Sequence, residues 1–410
     1  MKDSKEAVAY LRSPKAIREQ CQKVYDLALA DKLVNFRLHE GRLPEVAAFV
    51  TAITREAYPD LAVPYHSRWR HFDVGGLNRN ALLDAALAGK SPQDMARAKV
   101  ELAIVSVLLD AGAGPEWTYQ DPRTGQAFTR SEGLAVASFE MFLAGAFSGD
   151  PDDPLRVDPV GLKKLGKKQL AAAFQVAAGN PLLGIDGRLS LLNKLAHAVD
   201  GHKKHFGAVE PRLGGLVDYL LPQAGNGKLP ARRILAAVLE SMSSIWPGRI
   251  TLAGVNLGDV WRHSQLADEE PGHGLVPFHK LSQWLTYSLC EPLEEFGLDI
   301  THMDELTGLP EYRNGGLFLD KGVLEAKHEG VYTATHAADS DAIVEWRALT
   351  VILLDKTAEL VRGALKMSAL ELPLAKVLQG GTWVAGRRAA AETRPGGGPP
   401  LKYVSDGTLF

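Results

Sequence analysis

The sequence has very little cysteine, with only Cys21 and Cys290 among 410 residues. Two thiols are too few for a disulfide framework or for a zinc site built from cysteine ligands. The chain also lacks the HExxH, EF-hand, P-loop and serine-nucleophile patterns that identify common metal, nucleotide and hydrolase sites. We therefore expect no metal and no cofactor, and a reducing cytoplasm is the simplest compartment for such a chain.

An excess of positive charge is also missing, because the formal net charge is −3 and the sequence pI is near 6.5. Nucleic-acid-binding domains usually carry a basic surface and a pI above about 9. No apolar run approaches the roughly 20 residues that cross a bilayer. The stretch MKDSKEAVAYLRSP lacks the apolar core of a signal peptide. We therefore expect a small molecule as partner, with no nucleic acid and no membrane; the sequence does not indicate an oligomeric state.

Apolar residues recur at helical spacing along most of the chain, between turns rich in glycine, proline and aspartate. The string SPKAIREQCQKVYDLAL predicts a helix that Ser13 caps, with Pro14 just inside it. Strand-like patterns are few and short, and residues 117–128 predict a hairpin. The expected fold class is mostly α, helical and two-lobed, with a few short strands.

Changes in composition predict the domain organisation. A polar, proline-punctuated connection near residue 150 separates an N-terminal helical lobe (1–150) from a C-terminal helical lobe (151–393). The lobes are expected to form one integrated unit. Residues 394–410 contain too much proline and glycine for a helix. They predict an extended arm, which Tyr403, Val404, Leu409 and Phe410 could dock onto the body.

Two polar clusters stand out in the N-terminal half. Arg68 and Arg70 lie among aromatic residues in YHSRWRHFDVGGLNRN, where a glycine-rich helix start could bind a phosphate or a carboxylate. The alternative is a structural network of cation–π contacts and ion pairs. Glu116 and Trp117 follow the small residues AGAGP, which would allow a ligand to approach closely. The alternative there is simply a tight end to a helix.

The C-terminal half contains two more candidates. Asp259, in GDVWRH, is either a functional acid or the cap of the next helix. Lys280 lies on an otherwise apolar helix beside His279, and the alternative for it is a surface lysine whose stem covers apolar groups.

The loop LTGLPEYRNGG then concentrates Glu311, Tyr312 and Arg313 between a proline and two glycines. Charged groups so close to rigid backbone are unusual in a plain turn, although Glu311 and Arg313 could merely pair with each other. Together these clusters supply carboxylates, one lysine on a helix, aromatic rings and arginines, without a metal pattern. This set suits hydrolysis of a glycosidic or an amide bond, and the pattern alone does not choose between them.

Several long strings give the chain a family resemblance: YHSRWRHFDVGG, LLDAGAGPEWTY, RSEGLAVASFEMF, VPFHKLSQWLTYSL and LTGLPEYRNGGLFLDKGVL. In this order they resemble, over essentially the whole chain, the domain-of-unknown-function family of bacteria and fungi that is tied to uracil catabolism. The resemblance implies a route in which uracil, or its nucleotide, is ring-opened. The resemblance also implies ribosylurea, with or without a phosphate, as the proposed intermediate, with urea released later. The implied partner is a small molecule derived from a nucleoside or nucleotide.

More distantly, the order of motifs is similar to the queuosine-nucleotide glycosylase (queuosine salvage) family, helical proteins related in fold to helix-hairpin-helix DNA glycosylases. FHKLSQ at 278–283 stands where that family has FYKRAQ, and PEYR at 310–313 stands where it has ADYR. LGD at 257–259 occupies the slot of its FxD. Two departures are a glutamate for aspartate at 311 and AGAGPEW in place of the aromatic NFxFW. They predict a different base pocket, which fits a smaller leaving group.

The resemblance implies an N-ribosyl hydrolase that splits ribosylurea, or its 5′-phosphate, into urea and the sugar without a metal. Its catalytic carboxylates would be Asp259 and Glu311, because an oxocarbenium-like transition state needs a nearby anion and an activated water. The substrate-binding residues would be Lys280, Tyr312, Arg313, Trp117, Glu116, His279, Arg68 and Arg70. Two rival interpretations are an amidohydrolase or lyase acting on a ureido compound of the same route, and a non-catalytic nucleotide-binding regulator.

Overall fold

The computed structural model describes residues 3–247, 249–266 and 272–404, and helices account for most of them. The expected mostly-α class is confirmed. The helices are α1 (Ser4–Leu11), α2 (Pro14–Leu29), α3 (Leu43–Ala57), α4 (Trp69–Phe72), α5 (Arg79–Ala86), α6 (Pro92–Leu109), α7 (Arg130–Leu143), α8 (Pro159–Lys164), α9 (Lys167–Ala173), α10 (Ile185–Gly201), α11 (Lys203–Phe206), α12 (Gly215–Leu220), α13 (Ala231–Met242), α14 (Lys280–Glu295), α15 (Tyr312–Asp320), α16 (Gly330–Thr333), α17 (Asp341–Leu365), α18 (Leu374–Val377) and α19 (Trp383–Thr393).

Short strands form two-stranded ladders between these helices. The strands are β1 (Phe36–Leu38), β2 (Tyr119–Gln120), β3 (Ala127–Phe128), β4 (Lys228–Pro230), β5 (Thr251–Leu252), β6 (Val255–Asn256), β7 (Val260–Arg262), β8 (Leu275–Pro277), β9 (Asp299–Thr301), β10 (Leu324–Ala326), β11 (Thr335–His336) and β12 (Lys402–Tyr403). Pairing is antiparallel for β1–β10, β2–β3, β5–β6 and β7–β8, and parallel for β4–β9 and β11–β12. The hairpin predicted within 117–128 is confirmed as β2–β3.

The chain divides into two compact units, each assembled from separated segments. The first unit contains Met1–His66, Gly248–Gln283 and His302–Phe410, and the second contains Ser67–Pro247 and Trp284–Thr301. Helix α14 contributes its first turn to the first unit and the rest to the second. Each unit therefore depends on contacts between residues that are far apart in sequence.

Helix α17 forms the centre of the first unit, where it packs against α2, α3 and α15. Every residue from Ala342 to Leu354 is buried, so burial of apolar side chains on all faces stabilises this helix. The predicted start of α2 is confirmed, since the Ser13 hydroxyl accepts a hydrogen bond from the N–H of Ala16 at 3.2 Å. The burial of α17 includes Glu345 and Arg347, and buried charges require partners.

Helix α19 packs very closely on the N-terminal turn of α15. A Cβ atom on Gly386 would lie 2.7 Å from the carbonyl carbon of Arg313 and closer still to its oxygen. Only a residue without a side chain permits this approach. The backbone of Arg313 is thereby held against α19.

Replacing Gly386 by alanine is expected to lower the free energy of unfolding by about 1–3 kcal/mol, because the new methyl group overlaps backbone that cannot move aside. Gly363→Ala in α17 is the matched control. Among the described residues, no heavy atom outside the neighbouring backbone of α17 lies within 4 Å of that methyl group, and the helix gains roughly 0.5–1 kcal/mol. Thermal denaturation of both variants tests this prediction. Equal stability of the two would contradict the close packing of α19 on α15.

The second unit buries several ion pairs among its helices. Arg79 and Asp121 pair with both side chains fully buried, and Glu101 pairs with Arg212 at 2.7 Å. Glu101 also accepts hydrogen bonds from backbone N–H groups, including that of Gly214 at 2.7 Å. Buried charges are tolerated here because each carboxylate has several donors.

The C-terminal arm docks on the first unit as far as it is described. Leu401 is fully buried, and β12 pairs with β11 in parallel. The backbone N–H of Val404 donates to the carbonyl of His336 at 2.9 Å. Leu409 and Phe410, which were also expected to dock, lie outside the described residues. Among the helices described, none combines the length and the apolar character that a membrane span requires.

Candidate functional site

Both carboxylate oxygens of Asp259 receive hydrogen bonds from buried donors. Arg347 in α17 donates from its two terminal nitrogens at 2.7 and 2.8 Å, and Nε1 of Trp261 donates at 2.6 Å. The backbone N–H of Lys280 adds a further hydrogen bond at 3.0 Å. Although burial raises the pKa of a carboxyl group, the charge and hydrogen bonds of Arg347 hold the pKa of Asp259 well below its usual range. Asp259 is therefore a fixed anion.

The Asp259–Arg347 ion pair connects two polar motifs. Lys280 is the first residue of α14, so Asp259 caps this helix, which is one of the two roles expected for it. Arg347 also donates from Nε to the carbonyl of Pro310 at 3.3 Å. Because Pro310 directly precedes Glu311, the ion pair ties the start of the lysine helix to the glutamate loop. Sequence reasoning did not anticipate this role of Arg347.

Glu311 is the N-cap residue of α15. Its carboxylate accepts hydrogen bonds from the backbone N–H groups of Arg313 at 2.8 Å and Asn314 at 2.7 Å. Burial raises the pKa of Glu311, while these hydrogen bonds and the positive charges of Lys280 and Arg313 partly offset the rise. Glu311 thus differs from Asp259, because its pKa is raised above the usual value while that of Asp259 is lowered.

The guanidinium of Arg313 lies over two aromatic rings. Its central carbon is 4.9 Å from the ring centroid of Tyr312 and 5.2 Å from that of Trp383 in α19. Arg313 itself is 8% exposed, whereas both aromatic residues are partly exposed. The rings therefore cover a cation near the protein surface, which is a favourable cation–π arrangement.

Tyr403 brings the C-terminal arm to the same region. Burial raises the pKa of Tyr403, and the nearby groups Tyr312, Glu311 and Arg313 also act on it electrostatically. We call Lys280, Glu311, Tyr312, Arg313, Trp383 and Tyr403 the Glu311 patch. Sequence reasoning missed Trp383 and gave Tyr403 only a docking role. The only sequence signals for them were an aromatic residue after a glycine pair and one within the arm.

His279 is buried and adopts a left-handed backbone conformation, with φ of 48°. Its Nε2 atom lies 2.8 Å from the carbonyl oxygen of Leu11. Burial lowers the pKa of His279, so the neutral ring is favoured and can donate a hydrogen bond to this carbonyl. The Nε2 atom of His279 therefore already has a protein partner.

The four remaining predicted site residues belong to the second unit. Arg68 is fully buried and pairs with Asp110 at 2.6 Å, and Arg70 pairs with Glu291 at 2.6 Å. These contacts correspond to the structural alternative for the arginine cluster.

Trp117 is fully buried and its Nε1 donates to the carbonyl of Phe174 at 2.9 Å, whereas Glu116 is exposed.

The structure therefore brings together Asp259, Lys280 and Glu311 with their neighbours in the first unit. Trp117 and Glu116 are carried by the second unit. Across the described ranges, no group of three or more histidine, cysteine or carboxylate side chains is arranged to hold a metal ion.

The two carboxyl groups of the first unit are suited to different tasks. Asp259 is ionised and saturated with donors, which suits electrostatic and positional support. Glu311 has a raised pKa and a partly exposed side chain, which makes it a stronger base than an ordinary carboxylate. This difference is typical of sites that perform acid–base chemistry.

Comparison with known proteins shows similarity along nearly the whole chain. The family described as "Protein of unknown function (DUF1688)" matches residues 10–410. The chain is 40% identical to "Protein urg3" of Schizosaccharomyces pombe, over 99% of this chain and 100% of that protein. It is 37% identical to "Uracil catabolism protein 4" of Lachancea kluyveri, over 98% of this chain and 99% of that protein.

Proposed function

This chain belongs to the DUF1688 family, and from that premise we propose that it acts in uracil catabolism as an N-ribosyl hydrolase. Its substrate would be ribosylurea or the corresponding 5′-phosphate, and its products urea and the sugar. The pathway part of the proposal is supported by the relative named "Uracil catabolism protein 4", which aligns over almost its full length. The reaction is supported by the Glu311 patch.

The observation that carries the reaction is the environment of Glu311. A carboxyl group with a raised pKa is oriented by two backbone N–H groups, beside Lys280 and partly accessible to solvent. Ionised Glu311 would take a proton from water, whose oxygen bonds to C1′ as the C1′–N bond breaks. The bonding electrons leave with the urea nitrogen, which then takes up the proton that Glu311 removed from the water, so that Glu311 is ionised again. The negative charge of Glu311 would also stabilise the oxocarbenium-like transition state.

Asp259 and Arg347 would act as positioning residues rather than as the base. Their ion pair holds the backbone of Lys280 and the carbonyl before Glu311, so it controls the separation of the lysine from the glutamate. Errors of about 1 Å in such an arrangement can lower rates about 100-fold. Lys280, Tyr312 and Arg313 would bind the sugar or its phosphate. Contributions of Arg68, Arg70, Glu116, Trp117 and His279 to binding, and a likeness to helix-hairpin-helix DNA glycosylases, stay predictions.

Incubating the purified protein with ribosylurea, and separately with its 5′-phosphate, tests the proposal. We expect release of urea together with one equivalent of reducing sugar from at least one of the two. Asp304→Asn, which changes an exposed carboxylate before the loop, should behave like the wild type.

Two results would overturn the reaction. Ammonia without a reducing sugar would show that an amide-type C–N bond is cleaved instead, as an amidohydrolase would do. Tight binding of a uracil nucleotide with no product from either substrate would indicate a regulatory protein.

A further inference from the structure

Five arginines in the described part of the chain are buried: Arg68, Arg79, Arg188, Arg313 and Arg347. Four of them donate hydrogen bonds to protein oxygens. Carboxylates accept from Arg68, Arg79 and Arg347, and backbone carbonyls accept from Arg188. Arg313 differs from the rest. Within residues 3–247, 249–266 and 272–404, no oxygen accepts a hydrogen bond from its guanidinium.

A guanidinium has five N–H donors, and where the protein supplies no acceptor they bind solvent or a ligand. The rings of Tyr312 and Trp383 stabilise the positive charge of Arg313 but do not accept its in-plane hydrogen bonds. Glu311 is adjacent, yet its oxygens already accept from the backbone N–H groups of Arg313 and Asn314. The side chain is therefore fixed in orientation while its donors remain available.

The conformation of Arg313 is also constrained through its backbone. Its N–H is bonded to the Glu311 carboxylate, and its carbonyl is packed against Gly386. An arginine held by its backbone and stacked on rings presents its planar edge in one direction, which suits a planar, bidentate recognition of an oxyanion. This is the property expected of a preorganised binding group and not of a surface arginine.

We propose that the guanidinium of Arg313 anchors an anion subsite that takes the phosphate monoester of the substrate. The inference rests on the proposed function and selects the phosphorylated substrate over the neutral one. A second cation favours a phosphate dianion over a single carboxylate. Arg387 is exposed and also lies over the Trp383 ring, at 5.0 Å from the centroid. Lys280 adds a third positive charge near Glu311.

The test compares binding of ribose 5-phosphate and ribose by isothermal titration calorimetry, in low salt. We expect the wild type to prefer the phosphate by about 10- to 100-fold, as a charge-assisted bidentate contact would provide. Arg313→Gln should abolish this preference, and Arg313→Lys should keep only part of it because the ammonium lacks the planar fork. Arg388→Gln in α19, whose exposed guanidinium pairs with Glu56, should retain the wild-type preference.

Equal binding of the two sugars by the wild type, absence of binding of both, or an unchanged preference in Arg313→Gln would each overturn the proposal. If Arg313→Gln does not fold, retention of the full phosphate preference in Arg313→Lys would also overturn the proposal. A chain shortened after Val404 tests whether later residues, such as Asp406, supply the anion themselves. A phosphate preference that exists only in the shortened chain would overturn the substrate role.

The experiment separates this inference from the proposed reaction. A phosphate preference that depends on Arg313, with no urea released from either substrate, would support the subsite and contradict the hydrolase. Urea released with equal kcat/KM from phosphorylated and unphosphorylated ribosylurea, in both wild type and Arg313→Gln, would support the hydrolase and contradict the subsite.

Discussion

Glu311→Gln is expected to lower kcat for urea release by about 10²- to 10⁴-fold, the usual contribution of a general base. Glutamine keeps the size of the side chain and can still accept a backbone hydrogen bond at the start of α15, so the fold should be retained. The loss would follow from removal of the proton acceptor and of the negative charge beside C1′. Steady-state assays with circular dichroism of the same samples measure both quantities.

Asp304→Asn is the matched control, because it neutralises an exposed carboxylate on the turn that precedes the loop. Its kcat should equal that of the wild type. A Glu311→Gln enzyme that retained more than about a tenth of the wild-type kcat would exclude Glu311 as the base.

The pH dependence provides a second measure of Glu311. Because burial raises its pKa above the ordinary 4.5, the acidic limb of the kcat/KM profile should have its midpoint above 4.5, with activity rising as Glu311 ionises. The free energy of unfolding depends on pH in the opposite direction from activity. A carboxyl group whose pKa is raised in the folded state contributes most below its unfolded pKa, and this contribution is lost as pH rises through the folded pKa. Glu311→Gln should remove the acidic limb and this stability change together.

Breaking the Asp259–Arg347 pair is expected to have the largest effect on stability. Arg347→Met or Asp259→Asn alone should lower the free energy of unfolding of the protein by about 3–5 kcal/mol, because each leaves a buried charge without its counterion. The side chain of Arg347 is 1% exposed and that of Asp259 is 12% exposed, so solvent can replace little of the lost interaction. Chemical denaturation of the single variants and of the double variant measures the effect.

The double variant, Asp259→Asn with Arg347→Met, should be less destabilised than the sum of the single variants, because neither charge is then left alone. Arg388→Gln, which breaks an exposed pair with Glu56, serves as control and should change stability by no measurable amount. If the changes in the free energy of unfolding of the two single variants added up to that of the double variant, the two residues would act independently.

The geometry of Asp259 also changes how its variants must be interpreted. Loss of activity in Asp259→Asn would follow from displacement of Lys280 and of the loop before Glu311, as well as from loss of a catalytic group. Only the comparison with Arg347→Met distinguishes these causes. If both variants lose activity equally at a temperature where both are folded, the ion pair acts through position.

Local patterns predicted those features that depend on a few neighbouring residues. Ser13 and Pro14 marked the start of α2, and residues 117–128 formed a hairpin. Each of these signals lies within one short stretch of chain, where backbone conformation and capping are decided.

The sequence by itself therefore determined the helical class, the helix starts and the concentration of polar groups around Glu311. Tertiary structure alone decided that Arg347 pairs with Asp259 and that Tyr403 reaches the Glu311 patch from the C-terminal arm. It also decided that Arg313 is buried without an oxygen acceptor in the described chain. The physical reason is that burial and long-range pairing set the partner and the pKa of a charged group. Neither can be read from spacing along the chain.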